Sequence, residues 1–143
     1  MVSHAVVLNL LAKLRDYVEK LRPLQAKSEQ EIAADYIALL AVEYGLQIAA
    51  QCVLDICSHV VSDVSTDHPA NYRELILAAG RLGLIPEDFA RRFSGLAGFR
   101  NVLIHEYAMV DVSEVYRNLR DGLADLDRFA EYTRLFLERT PES

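Results

Sequence analysis

The sequence predicts an all-α protein, an up-and-down bundle of about five helices in one domain covering residues 1–143. Three observations predict it. Apolar residues recur at intervals of three and four over two long stretches. The hydrophobic content is 52%, of which little is aromatic, and only six Gly and four Pro punctuate 143 positions. Such a composition suits packed helices better than a turn-rich β fold, and the length is enough to bury a continuous core.

The first helix is expected from about Ser3 to Leu21, with Val6, Val7, Leu10, Leu14, Tyr17 and Leu21 on one side. Arg22-Pro23 ends it, because proline disfavours helical geometry at the residue before it. Ser28-Glu29-Gln30-Glu31 is a capping-box sequence and predicts a long helix to about Val61. The stripe Ile32, Tyr36, Leu39, Glu43, Leu46, Ala50, Val53, Cys57 and Val60 alternates steps of four and three, the seam of a left-handed bundle. Glu43 is the one carboxylate on that seam. It sits at a wet edge, pairs with an arginine, or belongs to a site.

Ser62–Ala70 reads as a polar connection, and Asn71-Tyr72-Arg73-Glu74 caps a short third helix ending near Gly83, a good residue for a helix C-terminus. Pro86-Glu87-Asp88 suits a first turn, so the fourth helix runs through Phe89, Phe93 and Leu96 into the segment that follows. Asp111-Val112-Ser113-Glu114 is a second capping box. It opens a last helix to about Leu137, with the seam Val115, Leu119, Gly122, Leu126, Phe129, Thr133 and Phe136.

No apolar run approaches the roughly 18 residues of a membrane span, and Met1–Asn9 lacks the basic start of a secretory signal. The expectation is a cytoplasmic protein with no membrane partner. Cys52 and Cys57 are the only cysteines, too few for a metal site, and read as buried reduced thiols. A net charge of −6 argues against broad non-specific nucleic-acid binding but leaves room for a local basic site. Arg91, Arg92 and Arg100 form the obvious cluster, with Arg117 and Arg120 further on.

The segment Gly98-Phe99-Arg100-Asn101-Val102-Leu103-Ile104-His105-Glu106-Tyr107 does not explain itself by folding. It sets a fixed cation, a hydrogen-bonding amide, a titratable ring and a phenol close together, the groups that handle a phosphate. Arginine and histidine five apart are a weak signal; the tyrosine two residues later makes the pattern far rarer. On one helix Arg100 and Tyr107 share a face, whereas Arg100 and His105 diverge by about 140°. Two copies across a two-fold axis would focus these groups better, so a homodimer with a composite site is expected. A structural account stays open beside this one: Arg100 paired with Glu43 or Asp111, His105 favoured by a helix C-terminus, Tyr107 packed on the core.

Arg-x4-His-x-Tyr, preceded by Gly98-Phe99 and with Asn101 after the arginine, resembles the signature of HepT-like toxins, small helical ribonucleases of the HEPN superfamily. The likeness continues through Ala49, Cys52, Leu54-Asp55-Ile56 and His59, then Pro69, Tyr72 and Asp111, and covers about Tyr36 to Phe129. It implies a HEPN-like homodimer that cuts RNA without a metal or cofactor. It also implies a nucleotidyltransferase antitoxin, called MntA in that family, which silences the toxin by transferring AMP from ATP to the motif tyrosine, here Tyr107. On this reading His105 is the general acid or base, Arg100 clamps the phosphate bidentately, and Asn101 orients the phosphate or the histidine. Tyr107 positions the substrate, and AMP added there places a bulky anion in the cleft. Glu43 holds Arg100 or His105 from the long helix. Two other readings fit the residues: a non-catalytic helical partner of a nucleotidyltransferase, or a nucleotide-binding subunit.

Overall fold

The computed structural model describes residues 2–105 and 110–141, and at His105 the backbone alone. Ser3 caps α1 (His4–Leu21), its hydroxyl accepting from the Val6 amide, and Val7, Leu11, Leu14, Val18 and Leu21 form its buried stripe. Pro23 then sits in a short 3-10 turn, Arg22–Ala26. The Ser28 capping box forms with both of its hydrogen bonds, Glu31 N to Ser28 Oγ at 3.1 Å and Ser28 N to Glu31 Oε1 at 3.0 Å.

The expected long helix is two helices, α2 (Glu29–Ala34) and α3 (Tyr36–Val64). Asp35 leaves the helical region (φ −110°, ψ 98°) and its carboxylate caps α3 by accepting from Ala38 N at 3.1 Å. A short acidic side chain that satisfies a backbone amide stabilises a break as readily as a continuation. The fourth and fifth expected helices also divide, without a side-chain cap of that kind. Ser94 separates α5 (Glu87–Phe93) from α6 (Gly95–His105), with its hydroxyl donating to Arg91 O and accepting from Arg73 Nη1. Asp121 separates α7 (Val112–Arg120) from α8 (Gly122–Glu138). At that break Leu123 is buried in place of the expected Gly122, while Leu126, Phe129, Thr133 and Phe136 are buried as the seam predicts. Between them lies α4 (Tyr72–Arg81), capped by Asn71 and closed at Gly83, whose φ of +85° suits a residue without a Cβ.

Helix α3 is the axis of the fold and packs most extensively on α1, then on α4 and α6; α8 closes over α1. Gly45 permits the α1–α3 crossing, because a Cβ there would stand 2.7 Å from Leu21 Cδ2. Phe129 of α8 stacks on Phe93 of α5 at 5.6 Å, tying the last helix to the middle of the chain. By length and composition α3 alone among the described helices is apolar enough to cross a membrane. Half of its most apolar window is buried inside the protein, as a core helix requires.

Burial along α3 also corrects the expected seam. Past Leu46 the stripe Ala50, Val53, Cys57 and Val60 is buried, but Tyr36 is 72% exposed and Glu43 stands at the edge. The buried row of that first half is Ala38, Val42 and Gly45, one or two positions away.

Candidate functional site

Phe99 and Leu103, both buried, anchor α6 and turn Arg100 and Asn101 toward α3 and α4. Arg100 Nε and Nη2 donate to Gln51 Oε1 of α3 at 2.9 and 2.6 Å, and Nη1 donates to Asn101 Oδ1 at 3.1 Å. The guanidinium lies over the Tyr72 ring, 5.1 Å from its centroid. Gln51 is fixed in turn, its Nε2 donating to Asp55 Oδ1 at 2.7 Å one turn further along α3. A guanidinium has five N–H groups, so these three bonds leave one on each terminal nitrogen. The end-on edge of the fork is therefore open, while Gln51 holds the Nε side.

Among the described residues no carboxylate lies within ion-pairing distance of Arg100. Arg22, Arg92, Arg120, Arg128 and Arg134 all have one at 3.1 Å or less. Arg100 is half-buried and held by neutral oxygens. The opening beside it is a groove of about 790 Å³ between α3, α4 and α6, bordered by Ser58, Asn71, Tyr72, Arg100 and Asn101.

Of the two partners expected for Glu43, Arg100 is not one, and the His105 side chain lies outside the described residues. Arg100 is held by Gln51, eight residues and roughly 12 Å further along α3. Glu43 has no hydrogen bond or ion pair among the described residues, and burial pushes its carboxyl pKa upward. Asp111 does not pair with Arg100 either; it caps α7 through Ser113 N at 2.9 Å. His105 ends α6 and so shares that helix with Arg100. Its side chain, and Tyr107 entirely, lie outside the described residues. Gln51 and Tyr72 were missed as partners of the motif, since each is brought to it only by the tertiary fold. Among the described residues no group of three or more His, Cys, Asp or Glu is placed to hold a metal ion.

A family profile described as Ribonuclease HepT-like matches residues 14–133. The chain belongs to the HepT-like ribonuclease family. Among curated relatives, it is 22% identical over 136 residues to a tRNA nuclease HepT of Aphanizomenon flos-aquae, covering 95% of this chain and 92% of that one. It is 18% identical over 126 residues to an mRNA nuclease HepT of Shewanella oneidensis, with 88% and 94% covered. Among solved structures, the fold matches a chain of a toxin–antitoxin complex with AMP-PNP at a TM-score of 0.82 and 16% identity, covering 92% of this chain and 99% of that one. A tri-AMPylated Shewanella oneidensis HEPN toxin in complex with its MNT antitoxin matches at 0.81 and 17% identity, with 91% and 97% covered. The fold of this HepT-like chain is thus the HEPN fold.

Proposed function

We propose that this HepT-like chain is the toxin of a prokaryotic toxin–antitoxin pair and an endoribonuclease that needs no metal. The observation that carries the reading is Arg100: a cation with no carboxylate partner among the described residues, oriented by Gln51, Asn101 and Tyr72 at the edge of an open groove. The names of the curated relatives, both RNA nucleases, support it.

The chemistry follows from the groups. A ribose 2′-OH attacks the adjacent phosphorus, and the bond to the 5′-oxygen breaks, leaving a 2′,3′-cyclic phosphate and a 5′-OH. His105 takes the 2′ proton, and His105 of the partner subunit gives one to the departing oxygen. Arg100 meets the charge developing on the phosphoryl oxygens through its open end-on edge. Asn101 fixes the guanidinium from the same helix. Two copies place both sets of groups in one cleft, so the active species is a homodimer in the cytoplasm.

Silencing is proposed at Tyr107. Its phenol oxygen attacks the α-phosphorus of ATP on an MntA-like antitoxin, pyrophosphate leaves, and the tyrosine carries AMP. The likeness to toxin–antitoxin structures, one of them an AMPylated toxin, supports that partner class.

The test is incubation of the purified protein with single-stranded and structured RNA in EDTA, beside Arg100→Ala and His105→Ala. Cleavage by the wild type alone, with cyclic phosphate ends, is the expected result. Intact RNA alongside tight antitoxin binding would overturn it in favour of a non-catalytic partner.

A further inference from the structure

The groove beside Arg100 is larger than a phosphate needs, and its walls are not those of a phosphate site alone. At about 790 Å³ it falls in the size range of small-molecule clefts. One side is apolar, made by the Tyr72 ring with Leu75 and Val102. The rim is polar and uncharged: the Ser58 hydroxyl, and the Asn71 amide, whose oxygen is committed to Glu74 N at 2.9 Å and whose NH₂ is left to donate. In a chain with 21 acidic residues against 15 Lys and Arg, none of the lining residues is an acid. A cation at one end, a flat apolar wall and a rim of neutral hydrogen-bonding groups complement a nucleotide: phosphate, base face and base edge in turn.

We propose that this groove is a nucleotide subsite, seating the residue next to the phosphate held by Arg100. The base lies along Tyr72, Leu75 and Val102, with its edge toward Asn71 and Ser58. The inference rests on the ribonuclease reading for the identity of that phosphate, but the seat for a base stands on the groove itself. Because Arg100 packs on Tyr72, an occupied groove also fixes the guanidinium beneath the phosphate. Binding a base and orienting the catalytic cation are then one event, which favours RNA whose bases are unpaired and free to enter.

The experiment is a binding cycle that does not depend on cleavage. A 2′-fluoro RNA oligonucleotide, which cannot be cut by its own 2′ oxygen, is titrated in EDTA and followed by fluorescence anisotropy. One abasic nucleotide is then walked along it. Two protein variants are compared with the wild type: Tyr72→Leu, which removes the ring, and Ala70→Trp, which puts bulk into the groove from its exposed lip. For the wild type, the abasic residue weakens binding roughly 5- to 150-fold at one position, the range for loss of one stacked base. In both variants that position-specific penalty disappears, because the base no longer has a seat to lose. Tyr72→Phe, which keeps the ring, retains it. A penalty of the same size in the wild type, Tyr72→Leu and Ala70→Trp overturns the subsite, as does a wild type with no position-specific penalty. Cleavage by the wild type in the earlier assay together with either result leaves the ribonuclease reading standing and removes only the subsite. A groove penalty without any cleavage does the reverse.

Discussion

The two halves of α3 carry the same heptad rhythm and lead opposite lives. From Leu46 onward the helix is enclosed by α1, α4 and α6, and Val53, Leu54, Ile56, Cys57 and Val60 are all buried. Before it, Tyr36, Ile37, Leu40 and Tyr44 stand exposed on the surface. A repeat of three and four says that a helix has an apolar face; it does not say how many neighbours that face will meet. The second half meets neighbours on several sides, so its one uncovered strip is polar: Gln51, Asp55 and Ser58. That strip carries the partner of Arg100 and one wall of the groove.

The largest expected effect contrasts one residue type in both halves. Ile56 is fully buried and Ile37 is 78% exposed. Ile56→Ala is expected to cost about 2–5 kcal/mol through the lost transfer energy and the cavity left behind. Ile37→Ala is expected to stay within about 0.5 kcal/mol. Urea unfolding followed by circular dichroism measures both. A loss at Ile37 that grows smaller with rising protein concentration would sharpen the contrast differently, by placing the first half against another subunit.

Next comes the polar strip. Gln51→Leu removes the acceptor of two Arg100 N–H groups. Hydrogen bonds to charged groups contribute roughly 1.5–3 kcal/mol, so kcat in the RNA assay should fall about 10- to 150-fold with unfolding midpoints little changed. Gln51→Glu separates position from charge, since it keeps an acceptor but supplies a carboxylate where Arg100 has none among the described residues. It should depress cleavage too, with the weaker RNA binding of a neutralised cation appearing in KM. Full activity in both variants would show that Gln51 does not set the guanidinium.

How much of this was legible? Features encoded within four residues were: the Ser28–Glu31 box forms as expected, and Arg100 and Asn101 stand together at the groove. The breaks at Asp35, Ser94 and Asp121 were not, because each residue is tolerable inside a helix and its type alone does not say whether the helix continues or stops. Gln51 was hidden for a different reason. It is 49 residues from Arg100, and nothing in the periodicity of α3 marks it apart from Gln47. Glu43 interrupts the expected apolar pattern, and the pattern has a different facing in that half of the helix.

The thiols test the enclosed half chemically. Burial pushes the Cys57 pKa up to about 12 from an ordinary value near 9.0, and raises that of Cys52 as well. Both should resist a thiol reagent at pH 8 in the native state and react at once in denaturant. The sign of the pH dependence is fixed by the same shift. Between about 9.0 and 12 the native state keeps the Cys57 proton that the unfolded chain has lost, so stability falls as pH rises through that window. Cys57→Ala should remove that part of the alkaline slope, at a cost in packing that is independent of pH.

The smallest effect belongs to Glu43, in the exposed half. Its carboxyl is raised above the ordinary 4.5 by burial alone, with no cation among its causes. The native state therefore holds this proton more tightly than the unfolded chain does. Stability from Glu43 is full below pH 4.5 and declines as the group ionises above it, the opposite of a salt-bridged carboxylate. Glu43→Gln should thus be slightly more stable than the wild type at neutral pH, and the advantage should vanish on acidification. RNA cleavage should be unchanged, because Gln51 and not Glu43 reaches Arg100. A variant that unfolds normally but cuts RNA poorly would return Glu43 to the site and join the two halves of α3 in one function.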